Sequence, residues 1–239
     1  MTTCIRASYA RLALTCKADV DIRYYLRGIE VQPREEGGVY IAATNGHSLI
    51  AIIDPTGTCD EPSIILSPNG VTSMLLPKVG SRNDTEDARL ELVRHDDKPA
   101  LLLKDKLGLP VNMQLSDAVI EGRFPTWRTS VLPDFSKLEK GSRSAFNLDY
   151  LQRPLEAIAK GGKAFAAGVE SFQEASDRAV TVWRFAGHDN VMLMIMPMND
   201  NSIDPVKRSA WLNTFAKAKR DPASPPAAAA PATTEAQPA

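Results

Sequence analysis

The stretch Ser63-Ile64-Ile65-Leu66-Ser67-Pro68-Asn69-Gly70-Val71 decides how the chain is read. Ser63 to Leu66 is a β-rich run. Ser67 is an N-cap type, and Pro68 suits the first helical position, where its missing N–H is no loss. Val71, Met74 and Leu75 then recur at helical spacing until Pro77 stops the helix. Strand-like runs follow at 88–93, 100–103 and 111–115, divided by charged or Gly/Pro turns, with a hairpin turn expected at Asp96-Asp97. One strand, one short helix and several strands make a unit.

The unit recurs on both sides. Downstream, Ser144-Ala145-Phe146 leads to Asn147 as a cap. Leu148, Leu151, Leu155 and Ile158 follow at helical spacing, with Pro154 inside and Gly161-Gly162 at the end. Strands at 179–185 and 191–196 complete that copy. Upstream the copy is less tidy: a strand at 5–7, a helix within 9–17, and strands at 24–31, 39–44 and 48–53. Three similar units predict an α+β fold of repeated half-units, each a short helix plus antiparallel sheet.

The bulk numbers fit such a fold. Hydrophobic content of 44% and charged content of 24% are ordinary for a globular chain, and a net charge of -1 announces no global basic field. Cys4, Cys16 and Cys59 are odd in number and lack metal-type spacing, which predicts reduced thiols. No apolar run approaches the ~20 residues of a membrane span, and the N-terminus lacks a secretory core. A cytoplasmic protein is expected. Residues 221–239, nearly all Ala, Pro, Ser and Thr, are expected to be disordered. Residues 207–220 form a basic amphipathic segment, with Trp211, Leu212 and Phe215 on one helical face. A helix docked on the fold and a partner or DNA contact are both open readings of it.

Enzyme chemistry finds no motif. His47, His95 and His188 lie far apart and outside any His-x-x-x-His pair, and phosphate-cradling or nucleophile-elbow loops are absent. The expectation is a binding protein with no cofactor and no metal.

Four fragments then carry a resemblance. They are Asp21-Ile22-Arg23-Tyr24-Tyr25-Leu26-Arg27-Gly28; Ala43-Thr44-Asn45-Gly46-His47-Ser48-Leu49; Glu121-Gly122-Arg123-Phe124-Pro125-Thr126-Trp127-Arg128, ending at Val131-Leu132-Pro133; and Met194-Ile195-Met196-Pro197-Met198. In this order they resemble segments of the bacterial DNA polymerase III beta sliding clamp family. Asn45 stands for the family's aspartate and Ser48 for its arginine. The resemblance implies a DNA-clamp fold, with residues 1–133 similar to the family's central domain and 134–206 to the second half of its last domain. The family's first domain has no counterpart.

The resemblance also implies two surfaces. A peptide-binding pocket would be lined by Leu26, Thr44, Gly46, His47, Leu49, Pro133, Met194, Met196, Pro197 and Met198, its thioethers adapting to different partner segments. A DNA-facing surface would carry Arg11, Lys17, Lys78, Arg82, Arg153, Lys160 and Lys163, with Arg23, Tyr24 and Tyr25 beside it. Long, mobile cations suit a protein that slides, because base-specific contacts would hold it at one sequence. Strand alternation would send one of Tyr24 and Tyr25 into the core. The expected function is a processivity clamp that encircles duplex DNA without sequence preference and tethers polymerase and clamp loader by short peptides. Family rings contain twelve half-units, so three per chain imply a homotetramer and a cryptic fourth a trimer. The alternative is a monomer that keeps the pocket and sequesters clamp-binding peptides.

Overall fold

Strand β1 (Thr3–Arg6) turns straight into helix α1 (Ala7–Leu14), with Arg6 still extended at the N-cap. The first half-unit continues through β2 (Ile29–Pro33), β3 (Val39–Thr44) and β4 (Ser48–Asp54). After the short β5 (Thr58–Cys59), β6 (Ile64–Leu66) opens the second half-unit, which ends in β7 (Arg89–His95), β8 (Lys98–Lys104) and β9 (Pro110–Gln114). A connecting segment carries α2 (Trp127–Ser130), a 3-10 turn at Phe135–Lys137 and β10 (Glu139–Lys140). The third half-unit is α3 (Asp149–Lys160), β11 (Val169–Gln173), β12 (Thr181–Phe185) and β13 (His188–Ile195). This computed structural model describes residues 2–69, 88–115, 117–141, 146–160, 169–176 and 179–198, all within the unit Met1–Met198. Most of the helix expected after Ser67, and all of 207–239, lie outside the described residues.

The strands form two antiparallel sheets, in the orders β5-β1-β7-β8-β9 and β10-β11-β12-β13-β4-β3-β2-β6. The first two half-units exchange their leading strands. β1 pairs with β7 of the second, Ile5 opposite Leu90, and β6 pairs with β2 of the first, Leu66 opposite Ile29. The exchange gives the two half-units a shared core and an internal two-fold relation. The third half-unit joins differently, by laying β13 along β4 with Leu193 opposite Ile50 and Val191 opposite Ile52. All four of these side chains are buried. At roughly 1.5–3 kcal/mol for each fully buried Leu, Ile or Val, this seam is a substantial part of the core.

Sequence alternation explains the two faces of the larger sheet. On one face Ile29, Val31, Ile41, Ile50, Ile52 and Leu193 join α1 and the smaller sheet in the main core. On the other, Ala42, Leu49, Ala51, Ile65, Val182 and Met194 are covered by Phe124 and Trp127 of the connecting segment. Trp127 is anchored by its indole N–H, which donates to Glu30 at 2.9 Å. Asp54, at the end of β4 and fully buried, accepts the Arg6 backbone N–H at 2.7 Å and faces Arg89 at 3.5 Å. It thereby ties β4 to β1 and β7.

The repeated half-unit read from the sequence is the architecture observed, and Asp96 and Asp97 turn the β7–β8 hairpin with φ of 48° and 61°, as a two-residue left-handed turn requires. Two local readings change, while α3 runs through Pro154 to Lys160 as expected. α1 begins two residues earlier than expected, directly from β1. Residues Tyr24–Arg27 form a 3-10 turn, not strand. There the Asp21 carboxylate accepts the Arg23 backbone N–H at 2.8 Å and curls the chain, so strand alternation does not apply to the tyrosines.

Candidate functional site

The β3–β4 hairpin is built around one side-chain oxygen. Asn45 Oδ1 accepts the backbone N–H groups of His47 at 2.9 Å and Ser48 at 2.8 Å, and the Ser48 hydroxyl at 3.2 Å. Asparagine thus performs the local turn chemistry without a charge. Thr44 locks the other side, donating its hydroxyl to the Ser48 carbonyl at 2.7 Å and accepting the Gly46 N–H at 3.1 Å. Gly46 takes a φ of +88°, which a side chain would hinder, and a Cβ there would sit 3.2 Å from the Arg23 guanidinium.

The third half-unit meets this hairpin from two directions. The Met196 N–H donates to the His47 carbonyl at 2.8 Å, which extends the β4–β13 seam. From α3, Tyr150 stacks on the His47 imidazole, centroids 6.0 Å apart and planes within 5°. Between them opens a cavity of about 180 Å³ lined by Arg23, Leu26, Thr44, Gly46, His47, Ser48, Leu49, Pro125, Val131, Val180, Met194 and Met196. Leu26, Leu49 and Met194 form its buried floor, while His47 and Met196 stand exposed at its rim.

Seven residues of the expected peptide pocket therefore come together: Leu26, Thr44, Gly46, His47, Leu49, Met194 and Met196. Pro133, Pro197 and Met198 do not line the cavity. Val131 and Pro125 supply the connecting segment's wall instead, because α2 turns the chain before Pro133. Arg23, expected at DNA, lines this cavity with its guanidinium held by Asp21 at 2.9 Å, and that pairing draws the Asp21 carboxyl down to about 2. Val180 and Pro125, which line the cavity, and Tyr150, which reaches it only by stacking on His47, were not legible as site residues. Tyr150 sits at a helix position whose neighbour across the seam only the β4–β13 pairing defines.

A larger groove of about 890 Å³ opens further along the same seam, lined by Ala51, Trp127, Phe135, Leu138, Phe172 and Met192 among others. The groove is the larger of the two and has polar groups of its own, among them Arg128, Arg184, Asp189 and Asn190, whereas the smaller cavity is the one that the hairpin, the Tyr24–Arg27 turn and the end of β13 build together. Tyr40 and Arg128 are part of the groove wall, and the guanidinium groups of Arg128 and Arg34 both lie over the Tyr40 ring, at 4.5 and 5.2 Å from its centre.

Of the expected DNA-facing residues, Arg11 is half-buried on α1, and burial lowers its guanidinium pKa. Lys17, past the end of α1, and Arg153 of α3 converge on Asp19, at 2.8 and 3.3 Å, and share its carboxylate. Those contacts, led by the Lys17 bond, hold the Asp19 carboxyl below its usual value. Tyr24 is half-exposed, and Tyr25 packs on the outer cluster. Lys160 closes α3. Lys78, Arg82 and Lys163 lie outside the described residues. Among the described residues no His, Cys, Asp and Glu group is placed to hold a metal, and no helix is long and apolar enough to cross a membrane.

Comparison with known proteins bears on the fold. No sequence-family model matches the chain, and no curated protein matches it. Solved structures do. Caulobacter crescentus pol III beta is similar with a TM-score of 0.56 at 16% identity over 83% of this chain and 66% of that one. DNA polymerase III subunit beta from Borrelia burgdorferi, in complex with a natural product, gives 0.56 at 12% over 83% and 64%. The DNA polymerase sliding clamp from Pseudomonas aeruginosa, with ligand, gives 0.51 at 16% over 84% and 66%. The chain has the fold of these clamps and spans about two thirds of their length.

Proposed function

We propose that this chain is a clamp-type binding protein, not an enzyme, whose seam pocket receives short apolar peptide segments of replication proteins. The observation that carries the reading is the assembly of Leu26, His47, Leu49, Met194 and Met196 around one 180 Å³ cavity, from segments up to 170 residues apart in sequence. A buried apolar floor with a polar rim suits one or two apolar side chains of an extended peptide, and thioethers adapt to variants of them. In this reading residues 1–133 act as one clamp domain and 134–206 as half of another. Lys17, Arg23, Tyr24 and Arg153, with Arg11, Lys78, Arg82, Lys160 and Lys163, hold duplex DNA through phosphates as self-associated copies encircle it in the cytoplasm.

Methyl-labelled methionine spectra during titration with a peptide bearing two or three apolar anchors test the pocket. Signals of Met194 and Met196 are expected to shift while that of Met113 stays. Movement of none of them contradicts the pocket. Encirclement has its own test, retention on nicked circular DNA and release when the circle is cut once. The sharing of Asp19 by Lys17 and Arg153 favours a second reading, a peptide-sequestering protein that does not encircle DNA. Peptide binding without retention on the circle identifies that case.

A further inference from the structure

Leu107, Leu109, Val111, Met113 and Leu115 alternate along the chain with other residues, and all five are exposed, by 42% to 75%. Alternation of this kind is the signature of a strand with one covered face. Val111 and Met113 lie on β9, the outer edge of its sheet, paired on one side with β8, while Leu107 and Leu109 precede it in the turn and Leu115 follows it. Nothing in Pro110–Gln114 carries a charge. Soluble chains ordinarily guard an edge with lysine, proline or a bulge; β9 has Pro110 and a register shift at Leu103/Lys104 at its start, and past them residues 111–114 form an uncharged edge with an apolar face, which marks a contact surface.

The two-fold relation within the chain shows what such an edge is for. The exchanged strands place Leu90 where the first half-unit has Ile29, and hence Asn112 where it has Ile50 and Gln114 where it has Ile52. β9 is thus the counterpart of β4, and the edge of β4 is filled by β13, antiparallel. The other sheet ends offer no comparable surface among the described residues. β5 and β10 are two residues long, β10 being Glu139 and Lys140, and β6 is met by an isolated bridge from Leu66 to Val119.

We infer that β9 is a self-association edge, pairing antiparallel with β9 of a second copy about a two-fold axis at Met113. This register places Val111 opposite Leu115 of the other copy and Asn112 opposite Gln114, each twice. It is self-complementary in apolar area and amide hydrogen bonding and brings no like charges together. In the single chain the Met113 N–H is held by the Asn112 side chain at 2.9 Å, a local bond that strand pairing replaces. Amides stand where the β4–β13 seam has isoleucines, so this joint is wetter than that seam and opens more readily. The inference rests on the clamp reading and specifies how copies meet: second half-unit to second half-unit, leaving the third half-unit of each copy at the free ends.

The test uses the full chain. Light scattering over a concentration series is expected to show mass rising from one chain to at least two, and Met113→Lys and Val111→Lys, both at exposed positions, each to shift the midpoint at least tenfold upward. Met113→Cys under mild oxidation is expected to give a Met113-position homodimer, identified by peptide mass. A wild-type mass fixed at one chain, variants with an unchanged midpoint, or absence of the cross-link at concentrations where the wild type associates would each overturn the inference. Peptide binding, measured on the same variants, is expected to be unchanged. Lost self-association therefore does not touch the pocket, and lost peptide binding in the wild type refutes the pocket without touching the edge.

Discussion

The His47 imidazole lies flat against the Tyr150 ring, 6.0 Å between centroids and 5° between planes, and so joins the β3–β4 hairpin of the first half-unit to the helix of the third. The pocket rim is consequently shared between two half-units. Stacked pairs contribute about 0.5–1.5 kcal/mol beyond area burial, which corresponds to a two- to tenfold change in an equilibrium. Tyr150→Leu, which keeps an apolar side chain but removes the ring, is expected to weaken peptide binding within that range. His47→Ala is expected to weaken it further, and the double variant by less than the product of the two. Independent effects in a double-mutant cycle on peptide affinity would deny the stack a role.

Gly46 holds a conformation that side chains resist. Gly46→Ala is expected to cost about 1–2 kcal/mol of stability from the left-handed backbone alone. It also presses a methyl group towards the Arg23 guanidinium, 3.2 Å from the position a Cβ would take. Denaturant unfolding measures the first effect. Peptide affinity measures the second, with a loss expected because Arg23 lines the pocket.

Glu30 gives a pH dependence of known sign. Burial raises its pKa above the ordinary 4.5, while hydrogen bonds from Ser63, Gln32 and Trp127 oppose that rise. The folded state therefore holds the proton more tightly than the unfolded state, and this group's contribution to stability falls as pH rises above about 4.5. Trp127→Phe removes the 2.9 Å indole bond to the carboxylate and raises the folded pKa further. Its destabilisation, about 1–3 kcal/mol for a buried partner lost, is expected to be larger at pH 8 than at pH 5. Equal losses at both pH values in denaturant unfolding would contradict this account.

The repeated half-unit was legible because its signals are local: an N-cap and proline after Ile64-Ile65-Leu66, helical spacing at Leu148, Leu151 and Leu155, and a two-aspartate turn. What joins the half-units was not. Exchange of β1 and β6 depends on which Ile and Leu faces meet across the core, and no residue type announces it. Seven pocket residues were reached by resemblance to family segments. Val180 escaped because it reaches the site only through the pairing of β12 with β13, and Tyr150 because it meets the site only through its stack on His47. The turn at Tyr24 was misread because Asp21, three residues earlier, competes for the backbone and outweighs the β-propensity of two tyrosines. Alternation at 111–115 was read correctly as a strand, yet the face it implies is uncovered in a single chain.

Asp54 connects the sheets through contacts to Arg6, Thr56 and Arg89. Asp54→Ala leaves the Arg6 and Arg89 donors, half-buried, without their acceptor. A loss of about 3 kcal/mol is expected in denaturant unfolding, with the β1 amides losing hydrogen-exchange protection first. A loss below about 1 kcal/mol would mean that the sheets are held by apolar packing alone.

The pocket itself is tested most directly by anisotropy titration of a labelled apolar-anchored peptide into the wild type and Met196→Arg. Met196 is half-exposed at the rim, so the substitution spares the core. Saturable binding by the wild type, weakened at least tenfold in the variant with thermal unfolding unchanged, is the expected result. Equal affinity of the two proteins, or no saturable binding by the wild type, would contradict a peptide pocket at the β4–β13 seam.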